Sequence, residues 1–329
     1  MLNSRKVTAS APGKTILFGE HSVVYGKPAI AAAVDKRAYV TISKREDHLT
    51  HVTVGDLGVS GFLDLKNSTI QLENGSRMQR GILEYILKAL IKAKTEVPVE
   101  VDVRLDIPIG AGLGSSAAVT VATIMAAASF NQITLTNETM ANLAHQVEID
   151  VQGAASPIDT SLSTYGGVIY LSKEPQKLVP LEIPHELPIV IGYTSTRGNT
   201  GELVKLVRQK KDARPEVINP ILDSMEAVAN GARQALIKGD HKTIGLLMNI
   251  NHGLLDAIGV NTEELSKMVF TARNQGAMGS KLTGAGGGGS MIAYCPGREE
   301  EVVSSINQFE RAFQINVAHQ GVRLEKPKN

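Results

Sequence analysis

Two hydrophobic periods alternate along the chain, and each names an element where it holds. In residues 97–107 the apolar side chains of Val99, Val101, Val103, Leu105 and Ile107 fall at every second position, which predicts a strand with one buried face. In residues 78–94, beginning at Met78, the apolar positions Ile82, Tyr85, Ile86, Ala89 and Leu90 follow helical spacing instead. An alanine-rich helix is predicted over residues 117–129. Another covers residues 138–151, with Met140, Ala144, Val147 and Val151 as its apolar stripe. Residues 7–11 read as a strand that ends at the Pro12-Gly13 pair, and residues 29–34 and 38–43 as two β-rich runs. Short strands follow at residues 52–54 and in the glycine-punctuated stretch to Leu65. Residues 168–171 and 189–193 look like strands, and helices dominate from Gly201 to about Gln275. The chain then closes as strand (280–283), glycine loop (284–289), strand (291–294), helix (298–309) and strand (313–318).

At 329 residues the chain is long for one domain and suits two. Strands mixed with segregated helices predict an α+β fold in both halves. The proline-rich stretch from Pro175 to Pro188 marks the boundary, giving domains 1–180 and 181–329. Aromatic residues are only 4% and Trp is absent, so the core must lean on Ala, Val, Ile and Leu. A formal net charge of +1 supplies no field that favours nucleic acid or membrane. The single cysteine, Cys295, excludes an intrachain disulfide and suits a reducing, cytoplasmic setting. Residues 1–11 lack the apolar core of a signal peptide, and the apolar stretch 119–128 is too short to span a bilayer. Oligomeric state stays open, with a homodimer among the options.

Two glycine-rich loops carry the candidate chemistry. The first comprises Pro108, Gly110, Ala111, Gly112, Leu113, Gly114, Ser115 and Ser116, between a strand and a helix. Free N–H groups and the dipole at a helix start form an anion site, and the two serines add hydroxyls that can cap the helix or reach a phosphate or its metal. The loop lacks the Gly-Lys-Ser/Thr ending of a Walker A motif, and its glycine spacing is a poor dinucleotide fingerprint. A purely structural strand-to-helix turn is the alternative. The second loop, residues 281–290, runs Lys-Leu-Thr-Gly-Ala-Gly-Gly-Gly-Gly-Ser between two strand-like segments, which argues for an ordered turn rather than a linker.

Five polar residues stand out beside the loops. Lys14 follows the first strand and can neutralise phosphate or act on a substrate hydroxyl. Glu20-His21 is a polar island in apolar surroundings, and a turn with surface charges would explain it as well. Glu148 borders the apolar stripe of its helix, so its carboxylate needs a partner, either Mg²⁺ or a basic side chain. Asp159, two residues after Pro157, sits near a turn; helix capping and orientation of an attacking hydroxyl both fit it.

Taken together, the run from Ala11 through Lys14 to Gly19-Glu20-His21, the loop from Pro108 to Ala118 and the loop from Lys281 to Ser290 resemble the GHMP kinases, in the family's order and across nearly the whole chain. Within that superfamily the segments Gly19 to Ala29, Ser156 to Asp159, Ser163 to Gly167 and Arg197-Gly-Asn-Thr200 resemble the mevalonate kinase family. Thr160 and Tyr165 depart from the animal members, where Asn and Trp are frequent. The resemblance implies an N-terminal domain like ribosomal protein S5 domain 2 and a ferredoxin-like C-terminal domain. It implies ATP and Mg²⁺ as cofactors, the metal held by Ser116 and Glu148, and the ATP phosphates wrapped by the first loop. It implies Lys14 and Asp159 flanking the reacting hydroxyl of mevalonate, with Glu20, His21 and Thr200 contacting that substrate. Gly284 and Ala285, with the loop up to Gly288, would support the substrate and phosphate region. A sister kinase such as phosphomevalonate kinase, or a ligand-sensing relative without turnover, shares the same loops. A NAD-dependent oxidoreductase does not fit their spacing.

Overall fold

Strand β1 (Lys6–Phe18) runs through Pro12-Gly13 rather than stopping there. Pro12 has no N–H to give to its neighbour, so the ladder with β2 (Ala29–Lys44) slips at that point. Pro12 faces Arg37 and Gly13 faces Val34, which leaves Asp35 and Lys36 outside the pairing. The slip joins the two predicted runs of residues 29–34 and 38–43 into one strand. The computed structural model in which this is seen describes residues 5–76, 80–108, 110–153, 155–172, 177–196 and 198–326. Met78, Pro175 and Arg197, named above, lie outside the described residues.

Strands β3 (Thr50–Val54), β4 (Val59–Asp64) and β5 (Thr69–Asn74) form a meander, followed by α1 (Arg80–Lys92) and β6 (Val99–Leu105). In β6, Val99, Val101 and Val103 are buried while Asp102 and Arg104 are exposed, as the period of two requires. Helix α2 (Ser115–Phe130) is buried on nearly every side, because its alanines let it lie close to β1, β2 and α1. Helix α3 (Asn137–Gln152) starts at Thr136, whose hydroxyl accepts from the Thr139 N–H. Helix α4 (Pro157–Tyr165) starts at Ser156, which accepts from the Ile158 N–H, with Pro157 pre-set for the first turn. Strands β7 (Val168–Leu171) and β8 (Leu178–Leu181) complete this part. The sheet order is β1-β2-β6-β3-β4-β5, with β7 on the first half of β2 and β8 beyond it. Pairing is antiparallel except between β3 and β6.

The second sheet follows: β9 (Ile189–Tyr193), then α5 (Thr200–Ala213), α6 (Pro215–Lys238), α7 (His241–Ala257) and α8 (Glu263–Asn274), then β10 (Gly279–Thr283), β11 (Ser290–Tyr294), α9 (Glu299–Ile306) and β12 (Arg311–Ile315). Its antiparallel order, β10-β11-β9-β12, is that of a ferredoxin-like sheet. The chain then returns to the first sheet, where β13 (Arg323–Leu324) pairs with Ala9 and Ser10 of β1. Buried Arg37 ties down this return by donating to the carbonyls of Ser10, Gln320 and Gly321. The α+β, two-domain architecture expected from the sequence is present. One apolar core runs across both sheets: Ile189, Ile191, Ile292 and Tyr294 share it with Leu17, Val34 and Val121. Among the described residues no helix is long and apolar enough to cross a membrane.

Candidate active site

A cleft of about 310 Å³ lies where the two sheets meet, and both glycine loops line it together with Lys14, Asp159 and Thr200. The slip in β1 is what brings the first loop in. A Cβ at Gly13 would stand 2.6 Å from the Leu113 carbonyl, so only glycine lets the loop cross the strand there. The Lys14 N–H donates to that same carbonyl at 2.8 Å, fixing loop and strand together.

Gly114 precedes α2 at φ 67, and a Cβ there would meet Lys14 Cγ at 2.9 Å. The lysine stem therefore runs over the loop's last glycine. No side chain among the described residues caps α2, and Ser115 and Ser116 are its first two residues. Capping by one of these serines is thus not realised. The helix enters the cleft with its first backbone N–H groups uncapped, which is the condition for anion binding at a helix start. Tyr85 stands beside Ser116 and Glu148.

Lys14 extends from the middle of β1, not from a strand end, and its ammonium lies 3.2 Å from the Asp159 carboxylate. Asp159 is in the first turn of α4, where the helix dipole favours a negative charge. Capping falls to Ser156, which leaves the Asp159 side chain free to face the cleft. Glu148 on α3 is 3% exposed. Its carboxyl is pushed up to about 8, first by burial and then by the nearby Asp159 charge, with Lys14 opposing both.

The second loop is ordered by bonds to its surroundings. The Gly287 N–H donates to the Val260 carbonyl at 2.8 Å and the Gly289 N–H to the Thr196 carbonyl at 2.9 Å. Ser290 Oγ donates to the Ala111 carbonyl at 2.6 Å, so the two loops are tied directly. Thr283 Oγ1 donates to the Ile16 carbonyl at 2.8 Å. Gly198 packs so tightly on this loop that a Cβ would lie 1.9 Å from the Gly286 carbonyl.

Glu20 and His21 are placed differently from the rest. Both are buried, and neither is on the cleft wall. Glu20 is ion-paired with Lys281 of β10 and accepts from Asn251 Nδ2 at 3.2 Å. Direct contact of the Glu20 carboxylate with a cleft ligand, expected from the sequence, is not what this arrangement presents. His21 Nε2 lies 2.8 Å from the Ala285 carbonyl, which can only accept, so this nitrogen carries the proton. Burial lowers its pKa, which keeps the ring neutral. Thr200 is the first residue of α5, whose cap is Asn199, and it is exposed at the cleft. Sequence reasoning missed the part played by Lys281 and Asn251. A lysine at an inward position of a strand that is otherwise buried was the available signal.

Comparison with known proteins agrees with this geometry. The family model for the GHMP kinases N terminal domain matches residues 81–167, and that for the GHMP kinases C terminal matches residues 232–312. A mevalonate kinase of Methanothermobacter thermautotrophicus is 44% identical over 317 residues, covering 96% of this chain and 99% of that protein. A mevalonate kinase of Thermococcus gammatolerans is also 44% identical, covering 98% and 99%. The crystal structure of the Methanococcus jannaschii mevalonate kinase superposes with a TM-score of 0.82 at 29% identity, covering 96% of this chain and 99% of that one. The structure of the L. major mevalonate kinase in complex with R-mevalonate gives 0.83 at 26% identity, with 94% of each chain covered. The chain belongs to the GHMP kinase superfamily, within its mevalonate kinase family.

Proposed function

We propose that the chain transfers the γ-phosphoryl group of ATP to the 5-hydroxyl of mevalonate, giving 5-phosphomevalonate and ADP. The observation that carries this reading is the Lys14–Asp159 pair, 3.2 Å apart, facing the uncapped N-terminus of α2 in one cleft. The mevalonate kinases among the relatives supply the acceptor's identity. We also take the chain to divide near residue 180, since β8 still belongs to the first sheet and β9 to the second.

Phosphoryl transfer asks the protein for position and charge rather than for covalent chemistry. The N–H groups at the start of α2 and the backbone of Gly110, Ala111, Gly112, Leu113 and Gly114 bind the phosphate oxygens. Lys14 opposes the charge that builds on the transferred group and, through Asp159, holds the acceptor side of the site. Asp159 accepts a hydrogen bond from the attacking hydroxyl and takes its proton as the new O–P bond forms. Thr200, Gly284 and Ala285 border the acceptor, and His21 reaches the same wall through the Ala285 carbonyl.

The residues fit a magnesium ion. Glu148 is a buried carboxylate that accepts no hydrogen bond from the described residues, and Ser116 offers a hydroxyl oxygen at the cleft. Hard oxygen donors, few in number, suit Mg²⁺ shared with phosphates and water. Glu148 and Ser116 would hold it, and the bound ion would neutralise phosphate charge. The test is a coupled ADP-release assay with mevalonate, phosphomevalonate, homoserine and galactose as separate acceptors. Release with mevalonate alone is the expected result; release only with another acceptor would overturn the assignment.

A further inference from the structure

Lysine is almost never fully buried, yet Lys281 is 0% exposed in the middle of β10, where all five residues are buried. Its ammonium pairs with Glu20 and donates to the Leu282 carbonyl at 2.6 Å. The other Glu20 oxygen takes the Asn251 amide from α7. The turn after β1, strand β10 and helix α7 therefore meet at one buried charge pair. Burial pulls the Lys281 ammonium below its usual range and Glu20 pulls it back up, so each charge depends on the other.

The pair does not stand alone. His21 follows Glu20 with φ 59, a left-handed backbone that is rare for a residue with a side chain. From there it reaches Ala285, four residues beyond Lys281. Between those two links Thr283 bonds to Ile16, two residues from Lys14. Three fasteners thus tie β1 and its turn to β10 and its loop: Ile16 to Thr283, Glu20 to Lys281 and His21 to Ala285. Thr283 and Ala285 line the cleft, while Lys281 and Glu20 do not. The loop backbone needs an external clamp, since Gly284 and residues 286–289 all adopt positive φ and carry no side chains to hold them.

We propose that Lys281 is a positioning residue for phosphoryl transfer: paired with Glu20, it holds the Glu20-His21 turn against the second glycine loop and so sets the acceptor wall of the cleft relative to Lys14. The inference rests on the kinase reading above. Neither member lines the cleft, and the nucleotide loop at residues 110–116 is held by the Lys14 N–H on the Leu113 carbonyl and by Ser290 Oγ on the Ala111 carbonyl.

The test compares Lys281→Met, Glu20→Gln and the double variant in steady-state ADP release, per mole of folded enzyme, with thermal unfolding recorded alongside. Activity of the unaltered enzyme with mevalonate is measured first and judges the kinase reading separately. Lys281→Met strands a buried carboxylate, and a wall displaced by about 1 Å costs up to about 100-fold, so the acceptor KM should rise about tenfold or more. The KM for ATP should stay within about twofold, because the Lys14 N–H still anchors the nucleotide loop at the Leu113 carbonyl. The double variant leaves no unpaired charge and should recover most of the acceptor KM. If Lys281→Met does not fold, Glu20→Gln and the double variant carry the same comparison. Two results would overturn the proposal. In one, the variants lose thermal stability while both KM values and kcat are unchanged. In the other, the double variant binds acceptor as poorly as Glu20→Gln, which would place the Glu20 carboxylate on the acceptor itself.

Discussion

Replacing Glu148 with Gln should make the ligand-free protein more stable in alkaline solution, and the structure gives the size of the effect. The Glu148 carboxyl is pushed up to about 8 in the fold, well above its ordinary value of 4.5. A group with a raised pKa binds more protons folded than unfolded, so stability falls as pH rises from the unfolded value through the folded one. The penalty is small below the unfolded value and complete above about 8. At about 1.4 kcal/mol per unit, moving from about pH 5 to about pH 9 costs about 4 kcal/mol at this site. Gln keeps the shape and removes the charge, so the Glu148→Gln protein lacks that loss. The assay is urea unfolding of both proteins without nucleotide or metal at the two pH values, with the difference in midpoints converted through the slope. Adding Mg²⁺ and nucleotide should flatten the pH dependence of the unaltered protein, since an ionised carboxylate then has a partner, and should do less for the variant. Parallel pH profiles for the two ligand-free proteins would refute the reasoning, because they would mean that Glu148 is not desolvated in the fold.

Two further substitutions probe the first loop. Gly114→Ala forces a side chain into a left-handed position, costing about 1–2 kcal/mol of stability, and pushes on the Lys14 stem. Its kcat should fall by about tenfold or more while the fold persists, and an unchanged kcat would show that Lys14 needs no fixed path over the loop. Ser116→Ala should raise the Mg²⁺ concentration needed for half-maximal activity. An unchanged metal titration would remove Ser116 from the metal's ligands.

Much of this fold was legible because the periods were clean. The alternation at Val99, Val101 and Val103 and the helical stripe of Met140, Ala144 and Val147 both appear as buried faces. The break at Pro12-Gly13 was legible as a disturbance but not as a bulge, because whether a missing N–H ends a strand or slips its register depends on the partner strand. Asp159 was legible as a polar residue after a proline. Its place in the first turn of α4 became clear only once Ser156 was seen to take the cap. Ser115 and Ser116 had the chemistry of caps, yet Gly114 takes the cap position and both serines lie inside the helix. Glu20 illustrates the limit of local reading. Its partner is 261 residues away on β10, and no periodicity joins the two. The same holds for the cleft, since Lys14, Asp159 and Ala285 meet only because β1 lies between α4 and β10.

The central claim is that Lys14 and Asp159 grip an acceptor hydroxyl in front of the nucleotide loop. The most direct measurement is ADP release by Asp159→Asn with mevalonate, paired with titration of a fluorescent ATP analogue. The carboxylate lies 3.2 Å from Lys14 and off the phosphate loop, so kcat should fall by about 100-fold to about 10,000-fold while nucleotide affinity stays within about twofold. Turnover near that of the unaltered enzyme would contradict the account.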